Sequence, residues 1–176
     1  MNDLSENVRL AKNGSSEAFA KLYATVYKDM YHIALYSLRS SHDACDAVSD
    51  AVLDAFCSIK NLKDPSKFRS WIMTILSAKI KHKQREYFSP AEDIDENTAL
   101  TDDFSYENAE LSEALDRLDS SSKLLLSMSV LGGYSSGEIA EICDTKPSTV
   151  RSRLAVIKHK LRMELTAEAL RRLYYE

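Results

Sequence analysis

The sequence predicts an all-α protein of two small helical domains joined by an acidic flexible linker, and three observations carry that prediction. Gly and Pro are scarce, at 4 and 3 among 176 residues, so the turns that separate short strands lack their usual residues. Apolar residues recur at three- and four-residue spacing through most of the chain, the period of an amphipathic helix. Charge is sorted into blocks, with an acid-only stretch between two basic ones. The expected division is 1–88 for the first domain, 89–110 for the linker and 111–176 for the second domain.

The total charge is −4, from 23 Lys and Arg against 27 Asp and Glu. Attraction to a polyanion depends on local patches within about a Debye length, ~8–10 Å, more than on that total. Residues 60–85 carry Lys60, Lys63, Lys67, Arg69, Lys79, Lys81, Lys83 and Arg85 against the single acid Asp64. Residues 89–110 reverse the sign with Glu92, Asp93, Asp95, Glu96, Asp102, Asp103, Glu107 and Glu110 and no Lys or Arg. Residues 145–163 are basic again, with Lys146, Arg151, Arg153, Lys158, Lys160 and Arg162 and no acid. Any one such run is ordinarily a solvated helix face. Two of them around an acidic tether point to nucleic acid.

Other chemistries find little support. Cys45, Cys57 and Cys143 are widely spaced, without the Cys-x-x-Cys or neighbouring His that zinc needs, and are expected as buried thiols in a reducing cytoplasm. His32, His42, His82 and His159 are scattered, and no Gly-rich phosphate loop occurs. No metal, cofactor or catalytic set is expected, so the chain is not read as an enzyme. The polar start, residues 1–14, has no signal-peptide core and no later run reaches bilayer length, so a cytoplasmic protein without membrane insertion is expected.

In the first domain, Ser15 and Ser16 are candidate caps for a helix bearing Phe19, Leu22, Tyr23, Val26 and Tyr27, and a second helix is expected near 30–38. Over 43–59, Ala44, Val48, Ala51, Val52, Ala55, Phe56 and Ile59 form an apolar stripe, while Asp43, Asp46, Asp50 and Asp54 form an acidic one. An acidic stripe is usually plain surface; its alternative use is docking a basic partner. Residues 61–67, with Asp64-Pro65, break the pattern, and Phe68, Trp71, Ile72, Ile75, Leu76 and Ile80 resume it in a fourth helix. On that helix Ser70, Thr74, Ser77, Lys81 and Arg85 share a polar face suited to close approach of a phosphate backbone.

In the second domain, Leu111, Leu115 and Leu118 open a helix, and 123–131 form an apolar one ended by Gly132-Gly133. Ser135 and Glu138 have capping-box spacing ahead of Ile139, Ala140 and Ile142, so a short helix is expected from there to Cys143. Residues 144–147 make a tight turn, and a basic helix follows from Thr149 through Ile157 and Leu161 toward Leu165. Short helix, turn and longer basic helix make a helix-turn-helix. Val150, Leu154, Ile157 and Leu161 should face the core. Arg151, Ser152, Ala155 and Val156 should be presented to base edges, with Lys146, Ser148, Arg153 and Lys158 placed for phosphates.

Taken together, these residues resemble the sigma-70 superfamily of bacterial RNA polymerase sigma factors, and within it the short two-domain extracytoplasmic-function (ECF) group, over nearly the whole chain. Residues 134–142 and 148–154 (Ser148, Thr149, Val150, Arg151, Ser152, Arg153, Leu154) are similar to domain four, which reads the minus-thirty-five element. Asp43-Ala44-Cys45-Asp46-Ala47-Val48 through Phe56 resembles the helix that docks on the polymerase clamp, which gives Asp43, Asp46, Asp50 and Asp54 a partner. Phe68-Arg69-Ser70-Trp71-Ile72 resembles the start of the minus-ten reading helix.

The resemblance implies that Lys63, Lys67, Arg69, Ser70, Trp71, Thr74, Ser77, Lys81 and Arg85 meet minus-ten DNA, and that residues 61–67 help form a pocket for a flipped base. It also implies that the acidic linker threads through the polymerase interior. The implied activity is promoter-specific initiation with core RNA polymerase and promoter DNA as partners; an anti-sigma factor is a further partner the family admits. The chain departs from the family at Ser77 and Ala78, commonly Arg and Asn, at Asp144, commonly Gly, and at Ala155 and Val156, commonly bulkier or basic. An unusual promoter preference is expected. The residues alone leave open a stand-alone helix-turn-helix transcriptional regulator, though no dimerisation heptad is evident, and a helical interaction protein whose basic faces are incidental.

Overall fold

The structure, a computed structural model, describes the backbone of residues 3–87 and 109–175; the side chains at 3, 87, 109, 110, 112 and 168–175 are not among those described. The expected linker, apart from its last two residues, and the side chains of Leu170, Leu173, Tyr174 and Tyr175 therefore lie outside the description. Among the described residues there are nine α-helices and no strand.

The first five helices are α1 (Asp3–Lys12), α2 (Ser16–Ala24), α3 (Tyr27–Leu38), α4 (Ser41–Ser58) and α5 (Phe68–Tyr87). Helix α1 was not expected from the sequence, and its apolar stripe is short: Val8 and Ala11 are buried and Leu4 packs against the core from the rim. Ser15 caps α2 as expected, accepting from the Ala18 amide at 3.2 Å. The helix does not run on to Tyr27. The Thr25 hydroxyl donates to the Leu22 carbonyl at 2.7 Å, and α3 begins after Val26. Helix α3 ends at Arg39, a non-glycine residue in the left-handed region at φ 56°. Ser40 then caps α4 by accepting from the Asp43 amide at 3.2 Å. Residues 61–67 are a connection as expected, flanked by single 3-10 turns at Ile59–Asn61 and Pro65–Lys67.

The later helices are α6 (Ala109–Asp116), α7 (Ser120–Val130), α8 (Ser136–Cys143) and α9 (Pro147–Tyr175). Helix α9 continues ten residues past the expected Leu165, so the C-terminal tail extends the last helix. Asp119 caps α7 by accepting from the Ser122 amide at 3.0 Å.

One cluster of buried apolar side chains runs from α1 through α5 and on into α7, α8 and α9. Its members include Met30, Ile33, Ile72, Met73 and Leu76 from the first domain and Leu124, Met128, Ile139 and Val150 from the second. A smaller cluster joins Tyr36 of α3 to Leu115, Leu118, Leu126 and Ile157. The two domains thus share a core. The expectation of buried thiols is corrected: Cys45 and Cys57 are exposed and Cys143 is half-buried. On α4 the inward positions are filled by Ala44, Ala47, Val48, Ala51 and Ala55, so Cys45 and Cys57 fall on the outward side. Among the described residues, no helix is long and apolar enough to cross a membrane.

Candidate nucleic-acid and protein interfaces

The helix-turn-helix is assembled by local chemistry. The Ser135 hydroxyl accepts from the Glu138 amide at 3.3 Å, and the Glu138 carboxylate accepts from the Ser135 amide at 2.8 Å and from its hydroxyl at 2.7 Å. These bonds hold the Glu138 pKa below its ordinary value. Asp144 ends α8 in the left-handed region at φ 50°, where Asp is tolerated better than most residues. The Thr145 amide then reaches back to the Ala140 carbonyl at 2.9 Å, and α9 begins at Pro147, whose fixed φ suits a first helical position.

Helix α9 presents its sides as expected. Val150, Leu154 and Ile157 are buried; Leu161 is half-buried. Arg151, Ser152, Ala155 and Val156 are exposed, as are Lys146, Ser148, Arg153 and Lys158, with Thr149 intermediate. Arg153 also donates to the Ser121 hydroxyl at 3.2 Å, which holds its guanidinium against the N-terminal turn of α7. This is a continuous cationic and small-residue surface with the dimensions of a helix that enters a major groove.

The polar face of α5 is placed differently from the sequence expectation. Lys63, Lys67, Thr74 and Arg85 are exposed, and Arg69, Ser70, Trp71 and Lys81 are half-buried. Ser77 is buried, donating to the Thr74 carbonyl at 2.9 Å and lying 3.5 Å from the Ile142 carbonyl at the end of α8. The α5 face that was expected to be open is covered by α8 at Ser77, in its middle, while Thr74 and Arg85 stay exposed. What remains accessible is a cleft of about 340 Å³ lined by the 61–64 connection, Lys67, Ser70, Trp71, Thr74 and Glu141 of α8. Its indole, hydroxyls and lysines suit a base with its phosphate.

The acidic stripe of α4 is partly neutralised from within. Lys79 pairs with Asp54 at 2.7 Å, and its pKa rises through that bond. Lys83 lies 3.4 Å from both Asp43 and Asp46; burial works against its charge, but the two carboxylates outweigh it and its pKa rises. Asp50 is exposed and makes no ion pair among the described residues. Beside it, Leu53 is 63% and Phe56 39% exposed. The outward face of α4 is therefore Asp50 with Asp54, Leu53 and Phe56. The sequence reasoning put Phe56 in the core and passed over Leu53; Leu53 stands three residues after Asp50 and three before Phe56, which was the available signal.

Two family models match this chain: "Sigma-70 region 2" over residues 22–87 and "Sigma-70, region 4" over residues 108–161. The chain is similar to the RNA polymerase sigma factor SigV of Bacillus subtilis, at 26% identity covering 92% of this chain and 99% of that protein. It is also similar to the ECF RNA polymerase sigma-E factor of Haemophilus influenzae, at 29% identity covering 84% and 87%. In fold it is similar to CnrH solved in complex with the cytosolic domain of CnrY, with a TM-score of 0.70 at 21% identity over 94% of this chain and 99% of that one. A second match is the sigma factor RpoE solved with the anti-sigma factor NepR from Bartonella quintana, with a TM-score of 0.68 at 18% identity over 84% and 96%.

Proposed function

The chain belongs to the sigma-70 family, in its ECF group, and from that premise we propose how its parts divide the work of initiation. It binds core RNA polymerase and directs promoter-specific transcription initiation. Residues 1–88 act as sigma domain two, which docks on the polymerase and captures the minus-ten element; residues 89–110 are the connecting linker; residues 111–176 act as domain four, which reads the minus-thirty-five element.

On α9, Arg151, Ser152, Ala155 and Val156 meet base edges, while Lys146, Ser148, Thr149, Arg153 and Lys158 hold the backbone. Around the cleft, Lys63, Lys67, Arg69, Ser70, Trp71 and Thr74 receive the melted strand, with Ser77, Lys81 and Arg85 further along α5. Asp43, Asp46, Asp50 and Asp54 form the polymerase-docking stripe, and Asp50 leads it because, although it acts on Lys79 through space, it is exposed and is the one of the four without a direct ion pair among the described residues. The protein is not an enzyme: it positions DNA for a polymerase that does the chemistry. It works in the cytoplasm, with an anti-sigma factor as its regulatory partner.

Opening about ten base pairs at ~1.4 kcal/mol of stacking each costs on the order of 14 kcal/mol. A surface of this size does not meet that alone, so the polymerase supplies most of the binding energy and the sigma modules supply position and strand capture. The observation that carries the reading is the presence, in order on one chain, of both regions, the second as an intact helix-turn-helix with an open basic face. A stand-alone regulator would have no use for the first region. The test is transcription in vitro by core polymerase on pooled genomic fragments, with and without the chain. Discrete new start sites that share two spaced elements are expected; the same starts with and without it would defeat the proposal.

A further inference from the structure

A second cleft, of about 220 Å³, opens between α5, the start of α7, the α8–α9 turn and the start of α9. Lys81 of α5 and Arg153 of α9 line it together with Ser121, Thr145 and Thr149. Both cations bear on its interior. Arg153 donates to the Ser121 hydroxyl at 3.2 Å, which holds the guanidinium at the wall, and the Lys81 charge is felt by Cys143 at the end of α8. Arg69, Lys79 and Lys83, on the same helix as Lys81, are each matched by a carboxylate. Among the described residues, Lys81 and Arg153 pair with none. Cys143 adds no negative charge, because burial holds its thiol pKa above the ordinary value although Lys81 pulls the other way. The one acid on the lining is Asp144, exposed in its left-handed turn.

We propose that this cleft is a binding site for a small phosphoryl anion, held by Lys81 and Arg153 with hydroxyl donors from Ser121 and Thr149. Two cations against one carboxylate leave the lining positive in a chain whose total charge is −4. The buried side chains of Leu124, Leu125 and Val150 form its floor and keep out the water that would screen that charge. Thr149 lies in the first turn of α9, so the positive end of a 29-residue helix meets the same wall. A phosphoryl group suits these donors: its oxygens accept from several sides at once, and a guanidinium presents two N–H groups to a pair of them. The site stands without the sigma reading. Two sources offer the chemistry, a free phosphorylated metabolite and the backbone of bound DNA, and they share the anion that the cleft recognises.

The test is isothermal titration calorimetry of the full chain with pyrophosphate, without divalent metal, at low and at moderate salt. One saturable site is expected. Lys81→Gln and Arg153→Gln should each weaken it at least about tenfold, the loss of one charge-assisted bond. Lys160→Gln, at an exposed cation of α9 outside the cleft, should leave it unchanged. Asp144→Asn keeps a residue that tolerates the left-handed turn and removes the facing carboxylate, so binding should tighten about threefold, the size of one exposed charge interaction. Melting each variant without ligand reads any fold defect separately, and the tightening in Asp144→Asn is an effect that damage to the fold does not produce. No saturable binding, an equal loss in Lys160→Gln, or no tightening in Asp144→Asn would overturn the proposal. A short DNA duplex of randomised sequence separates the sources: pyrophosphate that still binds the duplex-saturated chain identifies a free metabolite, whereas pyrophosphate displaced by the duplex from the same groups identifies the DNA backbone.

Discussion

Ser135→Ala removes the residue on which the helix-turn-helix depends most locally. Helix α8 has eight residues, and the amides of its first three, with that of Ser135, find no acceptor in its own turns; Ile139 is the first to do so, on the Ser135 carbonyl. Ser135 serves one of them through its hydroxyl, and the Glu138 carboxylate returns the bond to the Ser135 amide. Losing a side-chain cap costs ~1 kcal/mol, within a range of about 0.5–2. The Glu138 carboxylate also loses the Ser135 hydroxyl as a partner, which puts the expected loss in the upper half of that range. For a chain of this size, 1 kcal/mol lowers Tm by roughly 2–4 °C. The assay is thermal and urea unfolding of wild type, Ser135→Ala, Glu138→Gln and the double variant. Because the two side chains act on each other, the double variant should lose less than the sum, by about 0.5 kcal/mol or more. A loss under about 0.3 kcal/mol for Ser135→Ala, or strict additivity in the cycle, would refute the argument that a reciprocal cap holds α8.

Three further outcomes are expected. Arg151→Ala, at an exposed position of α9 with no packing role, should weaken promoter duplex retention by holoenzyme by ~1–3 kcal/mol while leaving polymerase association and Tm unchanged; filter binding against a scrambled upstream element checks this. Met128→Ala empties a fully buried site in the shared core and should cost ~2–5 kcal/mol in one cooperative transition that includes both domains; calorimetry showing two separate transitions, only one of them shifted, would contradict a shared core. Asp119 has its pKa held below the ordinary 3.8 by the Ser122 hydroxyl and the nearby amides. A carboxylate lowered on folding adds stability that is fully present above its unfolded pKa and is lost as pH falls through the native one. Asp119→Asn should therefore lower stability at neutral pH and flatten the acid loss below pH 3.8, read by unfolding at stepped pH.

What could be read from the sequence was what local chemistry determines. The capping box at Ser135 and Glu138, the Asp144 turn and the inward set Val150, Leu154 and Ile157 depend on residues within a few positions of each other, and each stands where expected. The break between α2 and α3 was missed because Val26 and Tyr27 continue the apolar spacing, while the Thr25 hydroxyl bond to Leu22 leaves no periodic trace. Helix α1 was missed because its inward side is made of Val8, a small Ala11 and a peripheral Leu4 amid polar residues. The covering of α5 was beyond reach for a different reason. Ser77 reads as a surface serine and Arg69 as a free cation until residues more than sixty positions away, Ile142 and Gly132, are brought against them. The α4 stripe shows both sides: its acidity was legible, but that Lys79 and Lys83 pair directly with three of its four carboxylates, and that Lys79 reaches Asp50 only through space, follows only from the packing of α4 on α5.

The most direct test of the central claim is size-exclusion chromatography of the full chain with bacterial core RNA polymerase at moderate salt, with Asp50→Lys as the comparison. A stable complex that is lost in Asp50→Lys, while that variant melts like wild type, is the predicted result. No complex with either protein, alongside direct binding of duplex sites by the free chain, would contradict the sigma assignment and leave an independent helix-turn-helix regulator.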